Sequence, residues 1–284
     1  MSEFPKYAMY GHHKCATMSL NTISSAICKR LGLQFGAVYD EASFGEDLPV
    51  YASNRRIDFL SYGNADFQYM KSLSEHRGFH IIRDPRDIVV SAYFSHRNSH
   101  STTAWTELKG HRETLKNLDL AEGISAEIEF RSRSFRHMQD WNYEQEHILE
   151  IRFEDLVSRH YETVLQIYDH LGLLTQGDYR FINRPGGMYR ELMAFASSKL
   201  NLRLPRLTRQ AAIPAAEFLT VVWRNRFEAQ SRGRNPGEED VQNHYRKGKS
   251  GDWRNHFTDE HKALFKELYP GLVPSLGYES SDDW

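Results

Sequence analysis

Three short stretches, far apart along the chain, combine cations, hydroxyl groups and glycines in the way that anion-binding sites require. They cover residues 10–20, 80–91 and 245–257. Cations supply full charge, hydroxyl and backbone N–H groups donate hydrogen bonds, and glycine lets the backbone approach a ligand closely. This chemistry suits phosphate and sulfate groups, so we interpret the three stretches as parts of one nucleotide site.

The first stretch has a turn at residues 14–17 between a short apolar strand and a predicted helix. The positive end of the helix dipole and its unpaired N–H groups favour a phosphate there. Lys14 adds a full charge, and Thr17 and Ser19 add hydroxyl donors. The pattern is not a Walker loop, G-x-x-x-x-G-K-[ST], because here the lysine comes first. A turn without a ligand is the open alternative.

The other two stretches carry cations beside a helix start and beside glycines. Arg83 and Ser91 bracket the start of a second predicted helix, although Arg83 could instead pair only with Asp87. Residues 246–248 read Arg-Lys-Gly, and residues 251–253 read Gly-Asp-Trp. A solvated loop is the alternative for this last stretch, but tryptophan usually seeks burial.

The bulk composition is that of a globular protein with a near-neutral charge. The chain has 284 residues and a formal net charge of -2, which excludes a strongly basic nucleic-acid-binding protein. No apolar run reaches the roughly 20 residues of a membrane span, and the N-terminal residues lack the apolar segment of a signal peptide. The two cysteines, Cys15 and Cys28, form neither a disulfide framework nor a zinc motif. We therefore expect a cytoplasmic protein without a bound metal.

Hydrophobic periodicity predicts strands that alternate with helices, which is typical of an α/β fold with a mostly parallel sheet flanked by helices. In such sheets ligands bind at the carboxyl ends of the strands, where Lys14 and Arg83 are expected. The predicted strands are residues 6–11, 57–62, 79–83 and 148–153. The predicted helices are residues 17–31, 66–75, a helix from Pro85, 122–144, 161–171, a helix-rich region at 201–226, and 258–269. Residues 40–54 and 232–239 are predicted loops, and residues 98–120 have no clear assignment.

In these three stretches the chain resembles the PAPS-dependent sulfotransferases, of the soluble cytosolic type and its bacterial relatives. PAPS is 3′-phosphoadenosine 5′-phosphosulfate. Residues 14–19 resemble the family's 5′-phosphosulfate loop, P-K-S-G-T-T-W, and Arg83 with Ser91 matches its 3′-phosphate motif. Residues 246–253 match its R-K-G-x-x-G-D-W signature, and residues 153–156 resemble its Y-E-D-[LM]. The matches follow the family's order along the chain.

The resemblance implies a single sulfotransferase domain over residues 1–284, with a P-loop-like fold, that releases 3′,5′-ADP. It also implies a role for each matching residue. Lys14 would contact the bridging oxygen or the sulfuryl group. The N–H groups of residues 15–19, with the Thr17 hydroxyl, would hold the 5′-phosphate. These loop residues are Cys15, Ala16, Thr17, Met18 and Ser19. The implied contacts to the 3′-phosphate are Arg83, Ser91, Arg246, Lys247 and Gly248. Phe153 and Phe227 would lie near the adenine.

The sequence departs from the family pattern in the loop and at the base. His13, Cys15 and Ala16 replace the loop's proline, serine and glycine, and Ser19 replaces the tryptophan that stacks on adenine. The family's K-T-H segment, which carries the base histidine, should precede Arg83 by some twenty residues. Residues 59–66 stand there and contain no histidine.

An alcohol acceptor needs a base within hydrogen-bond reach of its proton. His13 is the first candidate, because it borders the expected acceptor pocket and its ordinary pKa is near neutral. Glu41, with Asp40, is the second, and Asp66 and His96 are weaker ones. A purely structural role is the alternative for each. Cys15 is expected to be structural. Residues 98–120 are expected to form part of the acceptor site or its lid.

Two other functions stay open on the sequence alone. One is a P-loop-like kinase or NTPase, and the other is a PAPS- or nucleotide-binding protein that has lost catalysis. The expected partner is a small-molecule acceptor with a hydroxyl or an amine. Binding to nucleic acid or to a membrane is not expected. The protein is expected to be a monomer or a homodimer.

Overall fold

The structure, a computed structural model, describes residues 4–45, 47–103, 105–175 and 210–284. Its centre is one sheet of five strands, in which every neighbouring pair is parallel. The strands are β1 (Tyr7–Gly11), β2 (Phe35–Val38), β3 (Phe59–Tyr62), β4 (Arg77–Ile82) and β5 (Ile148–Arg152). Their order across the sheet is β2-β3-β1-β4-β5. The predicted parallel α/β sheet is confirmed, and β1 lies at its middle.

Helices connect the strands, and further helices follow the sheet. In chain order they are α1 (Thr17–Leu31), α2 (Glu41–Phe44), α3 (Leu48–Asn54), α4 (Phe67–Met70), α5 (Pro85–Phe94), a π-helical turn (Ser95–Ser99), α6 (Thr106–Asn117), α7 (Leu120–Phe130), α8 (Ser132–Asp140), α9 (Phe153–Ser158), α10 (His160–His170), Ala215–Arg224, Phe227–Gln230, a 3-10 turn (Asp252–Asn255), Asp259–Leu268 and Leu272–Ser275. A two-residue pair, Leu174–Thr175 with Ile213–Pro214, adds a small second sheet. Among the described residues, no helix has the length and apolar character needed to cross a membrane.

Helix α1 has the bounds that its sequence pattern predicts. Leu20, Ile23, Ile27 and Leu31 are all buried, which stabilises the fold by about 1.5–3 kcal/mol for each side chain. Gly32 ends the helix with φ 70°, a left-handed conformation that glycine adopts without strain. The strand–turn–helix unit that carries Lys14 is thus fixed by local signals.

Helix α5 also begins where its capping residues predict. The Asp84 carboxylate accepts a hydrogen bond from the Arg86 N–H group, and Pro85 occupies the first helical position. Because α5 follows β4 directly, Arg83 lies at the carboxyl end of a strand next to β1. The two predicted anion-binding stretches therefore lie on adjacent strands.

Three predictions of secondary structure are wrong. Residues 40–54 form two short helices instead of a loop, because the Asp40 and Asp47 carboxylates cap them at Ser43 and Val50. The long helix predicted over 122–144 is two helices that break at Arg131. Strand β2 was missed. Of the helix-rich region predicted at 201–226, residues 201–209 lie outside the described residues.

Candidate active site

The loop between β1 and α1 is bent by two non-glycine residues with positive φ. Lys14 has φ 70° and Ala16 has φ 61°. Left-handed backbone costs about 1–2 kcal/mol at such residues, and it persists where the surrounding structure holds it. Ala16 is the N-cap of α1 and provides no side-chain acceptor. The first N–H groups of α1 therefore lack both a capping side chain and an acceptor within the helix.

The other predicted loop residues differ in what they offer to a ligand. The Cys15 N–H donates to the His12 carbonyl at 3.1 Å, so it is already engaged. The Thr17 hydroxyl lies 3.5 Å from the same carbonyl. Ser19 is half-buried and Met18 is exposed. Helix α1 can therefore offer the N–H groups that follow Cys15.

Four cations meet around this loop. Burial, followed by the charges of Arg83, Arg246 and Arg131, lowers the pKa of Lys14 to about 7. The Arg83 guanidinium donates to the Lys14 carbonyl at 3.1 Å, and its Nε is buried without a partner among the described residues. Like charges held together in this way repel one another, so the arrangement favours a bound anion.

Arg83 is held by groups that leave part of its guanidinium free. Its Cζ lies 4.1 Å from the centre of the Phe153 ring, a cation–π contact. Its closest approach to Asp87 is 3.8 Å, which is a long ion pair. Ser91 lies two turns further along α5 and is half-buried. The pairing of Arg83 with Asp87 therefore exists, but it does not use the Nε donor.

Asp87 joins the second stretch to the third. Its buried carboxylate accepts hydrogen bonds from the Gly251 N–H at 2.6 Å and the Trp253 N–H at 2.9 Å. These two bonds fasten the C-terminal loop to the start of α5. Residues that are more than 160 positions apart in the sequence thus share one site.

The third stretch directs its cations toward the same region. The Arg246 guanidinium lies 4.6 Å from the centre of the Phe94 ring and pairs with Asp252 at 2.5 Å and with Glu239. Lys247 also pairs with Asp252 at 2.5 Å. Asp252 therefore holds both cations in place while neutralising part of their charge.

Two features require glycine at position 248: its backbone has a positive φ, and the Phe227 ring lies too close for a Cβ atom. Its φ is 64°, and a Cβ atom there would lie 2.6 Å from the Phe227 ring. The half-buried Phe227 ring therefore lies close against the backbone at Gly248. The structure brings these two predicted nucleotide contacts together.

The C-terminal residues pack against α5 as well. The Arg86 guanidinium contacts two indole rings, 3.9 Å from the centre of Trp253 and 4.6 Å from that of Trp284. It also pairs with Asp84 and Glu279, both at 2.8 Å. This packing anchors the loop that Asp87 holds.

His13 is placed beside the cationic loop, but its hydrogen bonding disfavours it as the base. The Arg131 guanidinium donates to its Nδ1 at 2.9 Å. Because arginine can only donate, Nδ1 carries the lone pair and the neutral ring holds its hydrogen on Nε2. Burial, followed by the Arg131 charge, lowers the pKa of His13 well below its usual range. His13 is then a neutral hydrogen-bond donor.

The other predicted bases are engaged elsewhere. Glu41 pairs with Arg133 at 2.5 Å through both carboxylate oxygens, and this hydrogen bond lowers the pKa of its carboxyl. Asp40 caps α2, and Asp66 caps α4 and lies 3.5 Å from His137. The predicted catalytic role of Glu41 thus has no geometric support.

Cys15 is buried, and burial raises the pKa of its thiol to about 12. Its Sγ lies 3.9 Å from the His13 carbonyl oxygen. A thiol that stays protonated at neutral pH is a poor nucleophile. Cys15 therefore fits the structural role that the sequence predicted.

Sequence reasoning missed a buried polar chain beneath the loop. The Nε2 atoms of His12 and His80 lie 2.9 Å apart, and His80 Nδ1 lies 2.7 Å from Glu150 Oε2. Trp141 donates to the other Glu150 oxygen at 2.9 Å. His80 alternates with apolar neighbours in a buried strand, and this polar residue at a core position was the available signal.

It also missed Arg131 and Glu127, which form the floor of the site. Both are buried, and Arg131 Nε lies 2.9 Å from Glu127 Oε1. Their spacing, four residues apart on a helix, is that of an ordinary surface ion pair. Only the break between α7 and α8, which turns Arg131 toward His13, makes them part of the site.

A family model described as "Sulfotransferase family" matches residues 77–176, the segment that carries Arg83, Ser91 and Phe153. This segment of the chain is therefore similar to the sulfotransferase family. The similarity supports an enzyme of the sulfuryl-transfer class. A comparison with curated protein sequences found no match.

Two solved sulfotransferase-fold structures resemble the whole chain. Mouse sulfotransferase SULT7A1, complexed with PAP, has a TM-score of 0.52 and 15% identity, and the match covers 95% of this chain and 84% of that one. Retinol dehydratase, in complex with androsterone and inactive cofactor PAP, has a TM-score of 0.52 and 13% identity, with 94% and 80% covered. At these identities the likeness supports the fold, which agrees with the predicted sulfotransferase fold.

Proposed function

We propose that this chain is a sulfotransferase that takes its sulfuryl group from PAPS, passes it to a small-molecule acceptor and releases 3′,5′-ADP. The observation that carries the proposal is the meeting of Lys14, Arg83 and Arg246 around the N-terminus of α1. A donor with separate 3′- and 5′-phosphate groups needs two such cationic positions. The two structurally similar proteins are themselves PAP complexes, which agrees with this donor.

Each of the two phosphate groups of the donor would be bound by a separate group of residues. Lys14 and the first N–H groups of α1 would hold the 5′-phosphosulfate, where helix dipole and lysine charge act together. The 3′-phosphate would lie between Arg83 and Arg246, with the Ser91 hydroxyl and the backbone at Lys247 and Gly248. Charge-assisted hydrogen bonds of this kind are the strong ones in a protein.

Two phenylalanines would border the adenine. Phe227 lies against Gly248, and Phe153 lies under Arg83, so both rings adjoin the proposed 3′-phosphate position. A ring at Phe227 could replace the stacking that Ser19 cannot provide. Glu154, next to Phe153, accepts from the Asp84 N–H at 3.1 Å and so fixes the end of β5 against α5.

The reaction is an in-line displacement at sulfur. The acceptor oxygen or nitrogen forms a bond to sulfur, the sulfur–oxygen bond to the 5′-phosphate breaks, and the acceptor proton passes to a base. Negative charge grows on the phosphate oxygen that leaves, and Lys14 with the α1 N–H groups would stabilise it there. In the chemically related phosphoryl-transfer reactions, positioning and electrostatic stabilisation of this kind provide most of the catalysis.

The Gly248→Ala variant tests the packing at the proposed adenine edge. We expect its affinity for 3′,5′-ADP to fall about tenfold or more, because the new methyl group meets the Phe227 ring and displaces it. Gly233→Ala is the matched control. It has φ 95° and open space around its Cβ, so it carries backbone strain of about 1–2 kcal/mol without a clash. Calorimetric titration of both variants with 3′,5′-ADP makes the comparison, and equal affinities would contradict the assignment of Phe227.

The activity itself is tested by incubating the chain with PAPS and a panel of phenols, alcohols, sugars and amines. Release of 3′,5′-ADP together with a sulfated product, identified by mass spectrometry, is the expected result. Tight binding of 3′,5′-ADP without turnover of PAPS by any acceptor or by water would instead indicate a nucleotide-binding protein without catalysis. Turnover of ATP in place of PAPS would contradict the proposal.

A further inference from the structure

Beside Lys14 lies a cluster of aromatic and imidazole rings. His13 stacks on His96 with ring centres 5.0 Å apart, and His100 and Trp105 approach both rings edge-on at 5.0–5.6 Å. Lys14 is close enough that its charge, after burial, helps to lower the pKa of His100. One ring nitrogen from each of His13, His96 and His100 lies within 4.8 Å of the others. We name His13, His96, His100 and Trp105 the histidine cluster.

His96 presents a free lone pair to this cluster. Its Nδ1 lies 3.0 Å from Glu127 Oε2. Burial raises the pKa of Glu127, but the charge of Arg131 and hydrogen bonds from His111 and His96 outweigh it and hold the pKa at about 2. The charged carboxylate can only accept, so His96 Nδ1 carries the hydrogen and Nε2 carries the lone pair. That Nε2 is buried and has no hydrogen-bond partner among the described residues.

His13 presents the opposite group. Because Arg131 donates to its Nδ1, its Nε2 carries the hydrogen. This Nε2 is also buried without a hydrogen-bond partner in the described part of the chain. Burial lowers the pKa of His96 to about 3 and that of His13 well below its usual range, so both rings are neutral at pH 7. The cluster therefore combines one unused acceptor and one unused donor.

A hydroxyl group satisfies both of these nitrogens at once. It donates one hydrogen and accepts another. One ring nitrogen of His13 lies within 4.8 Å of one of His96, a separation that two hydrogen bonds of about 2.8–3.0 Å to a shared oxygen can span. A protonated amine has no lone pair and cannot accept from His13. Two buried unpaired nitrogens cost free energy in the empty site, which a bound hydroxyl would recover.

We propose that the acceptor is a hydroxyl compound whose oxygen lies between His13 and His96, with His96 as the general base. This rests on the proposed sulfuryl transfer from PAPS. As the acceptor oxygen bonds to sulfur and the bond to the 5′-phosphate breaks, the hydroxyl proton moves to His96 Nε2. His13 donates to the same oxygen and orients it. Glu127 is a positioning residue, since it fixes the tautomer of His96.

A divalent cation is the competing occupant, because three imidazole nitrogens at this spacing also suit zinc. The hydrogen bond from Arg131 disfavours it. A metal on His13 Nε2 would require that atom to lose the hydrogen that Arg131 holds there, and the nearby charges of Lys14 and Arg131 would repel the ion. The same experiment separates the two occupants.

Nitrogen-15 histidine spectra of the full chain, bound to 3′,5′-ADP at pH 7, provide the first test. The expected spectra assign His96 as the tautomer with hydrogen on Nδ1 and His13 as the tautomer with hydrogen on Nε2. Glu127→Gln should shift His96 away from that state without unfolding the chain. The opposite tautomers, or stoichiometric zinc binding that shifts these signals, would overturn the proposal. If 3′,5′-ADP does not bind at all, the proposed function fails first.

Single-turnover consumption of PAPS is the second test, with phenol and with water as hydroxyl acceptors. His96→Gln should slow it by about 10²–10⁴-fold, which is the usual contribution of a general base, while the Kd for 3′,5′-ADP is unchanged. His170→Gln is the control, since that side chain bonds to the His147 carbonyl away from the cluster. If His96→Gln consumes PAPS as fast as the control, His96 is not the base.

Discussion

Replacing Lys14 by methionine is expected to slow PAPS turnover by about a hundred- to a thousandfold while the chain stays folded. Lys14 is proposed to stabilise the charge that grows on the departing phosphate oxygen, and removal of one such group typically has this effect. Methionine keeps the length and apolar stem of the side chain without its charge. Single-turnover kinetics with PAPS measures the loss, and circular dichroism checks the fold. Turnover within about threefold of wild type would contradict the role of Lys14.

The same lysine should couple nucleotide binding to proton uptake. Burial and the neighbouring arginines lower the pKa of Lys14 to about 7 in the free protein, and a bound anion should raise it again. Above pH 7 the free side chain is mostly neutral, so binding of 3′,5′-ADP takes up a fraction of a proton, and this fraction disappears below about pH 6. Calorimetry at pH 8 in buffers of different ionisation enthalpy measures it. Lys14→Met should abolish the uptake, and unchanged uptake in that variant would assign it to another group.

Replacing Asp87 by alanine is expected to remove selective binding of 3′,5′-ADP and to lower the free energy of unfolding by roughly 3 kcal/mol. The substitution leaves the N–H groups of Gly251 and Trp253 without their shared acceptor in a buried place. It also releases the loop that carries Arg246 and Gly248. The affinity for 3′,5′-ADP should therefore fall toward that for 5′-AMP.

Two variants control for the Asp87 result. Asp87→Asn keeps one acceptor oxygen and the shape of the side chain, so its losses should be intermediate. Asp155→Ala removes an exposed carboxylate on α9 that pairs with Arg159, and it should change stability by about 0.5 kcal/mol or less. Urea denaturation and calorimetric titration measure both quantities. If Asp87→Ala bound 3′,5′-ADP as wild type does, the C-terminal loop would not belong to the phosphate site.

The parts of the fold that depend on local signals could be predicted from sequence. The spacing of Leu20, Ile23 and Ile27 gave α1, and the Asp84-Pro85 pair gave the start of α5. These two units carry Lys14 and Arg83, so the location of both at the carboxyl edge of the sheet followed from strand–helix alternation. The confirmed parallel order of β1 and β4 then brings the two residues together.

What depends on distant contacts could not be predicted. The apolar pattern of residues 122–144 continues through Arg131 and gives no sign that the helix ends there. In the structure α7 ends at this position, where Arg131 contacts Glu127 and His13. His96 and Glu127 are 31 residues apart, and His13 and Arg131 are 118 apart. The sequence does not show that Arg131 bonds to His13 or that Glu127 bonds to His96. From the sequence alone, His13 therefore ranks above His96 as the base. Whether a ring accepts or donates is decided by partners that only the fold supplies.

The most direct test of the central claim is calorimetric titration of the wild-type chain with 3′,5′-ADP and with 5′-AMP under identical conditions. Two charge-assisted contacts to the 3′-phosphate, from Arg83 and Arg246, should together contribute about 3 kcal/mol. We expect 3′,5′-ADP to bind about a hundredfold more tightly than 5′-AMP, and Arg246→Ala to remove most of this difference. Equal affinities for the two nucleotides, or no binding of either, would contradict it.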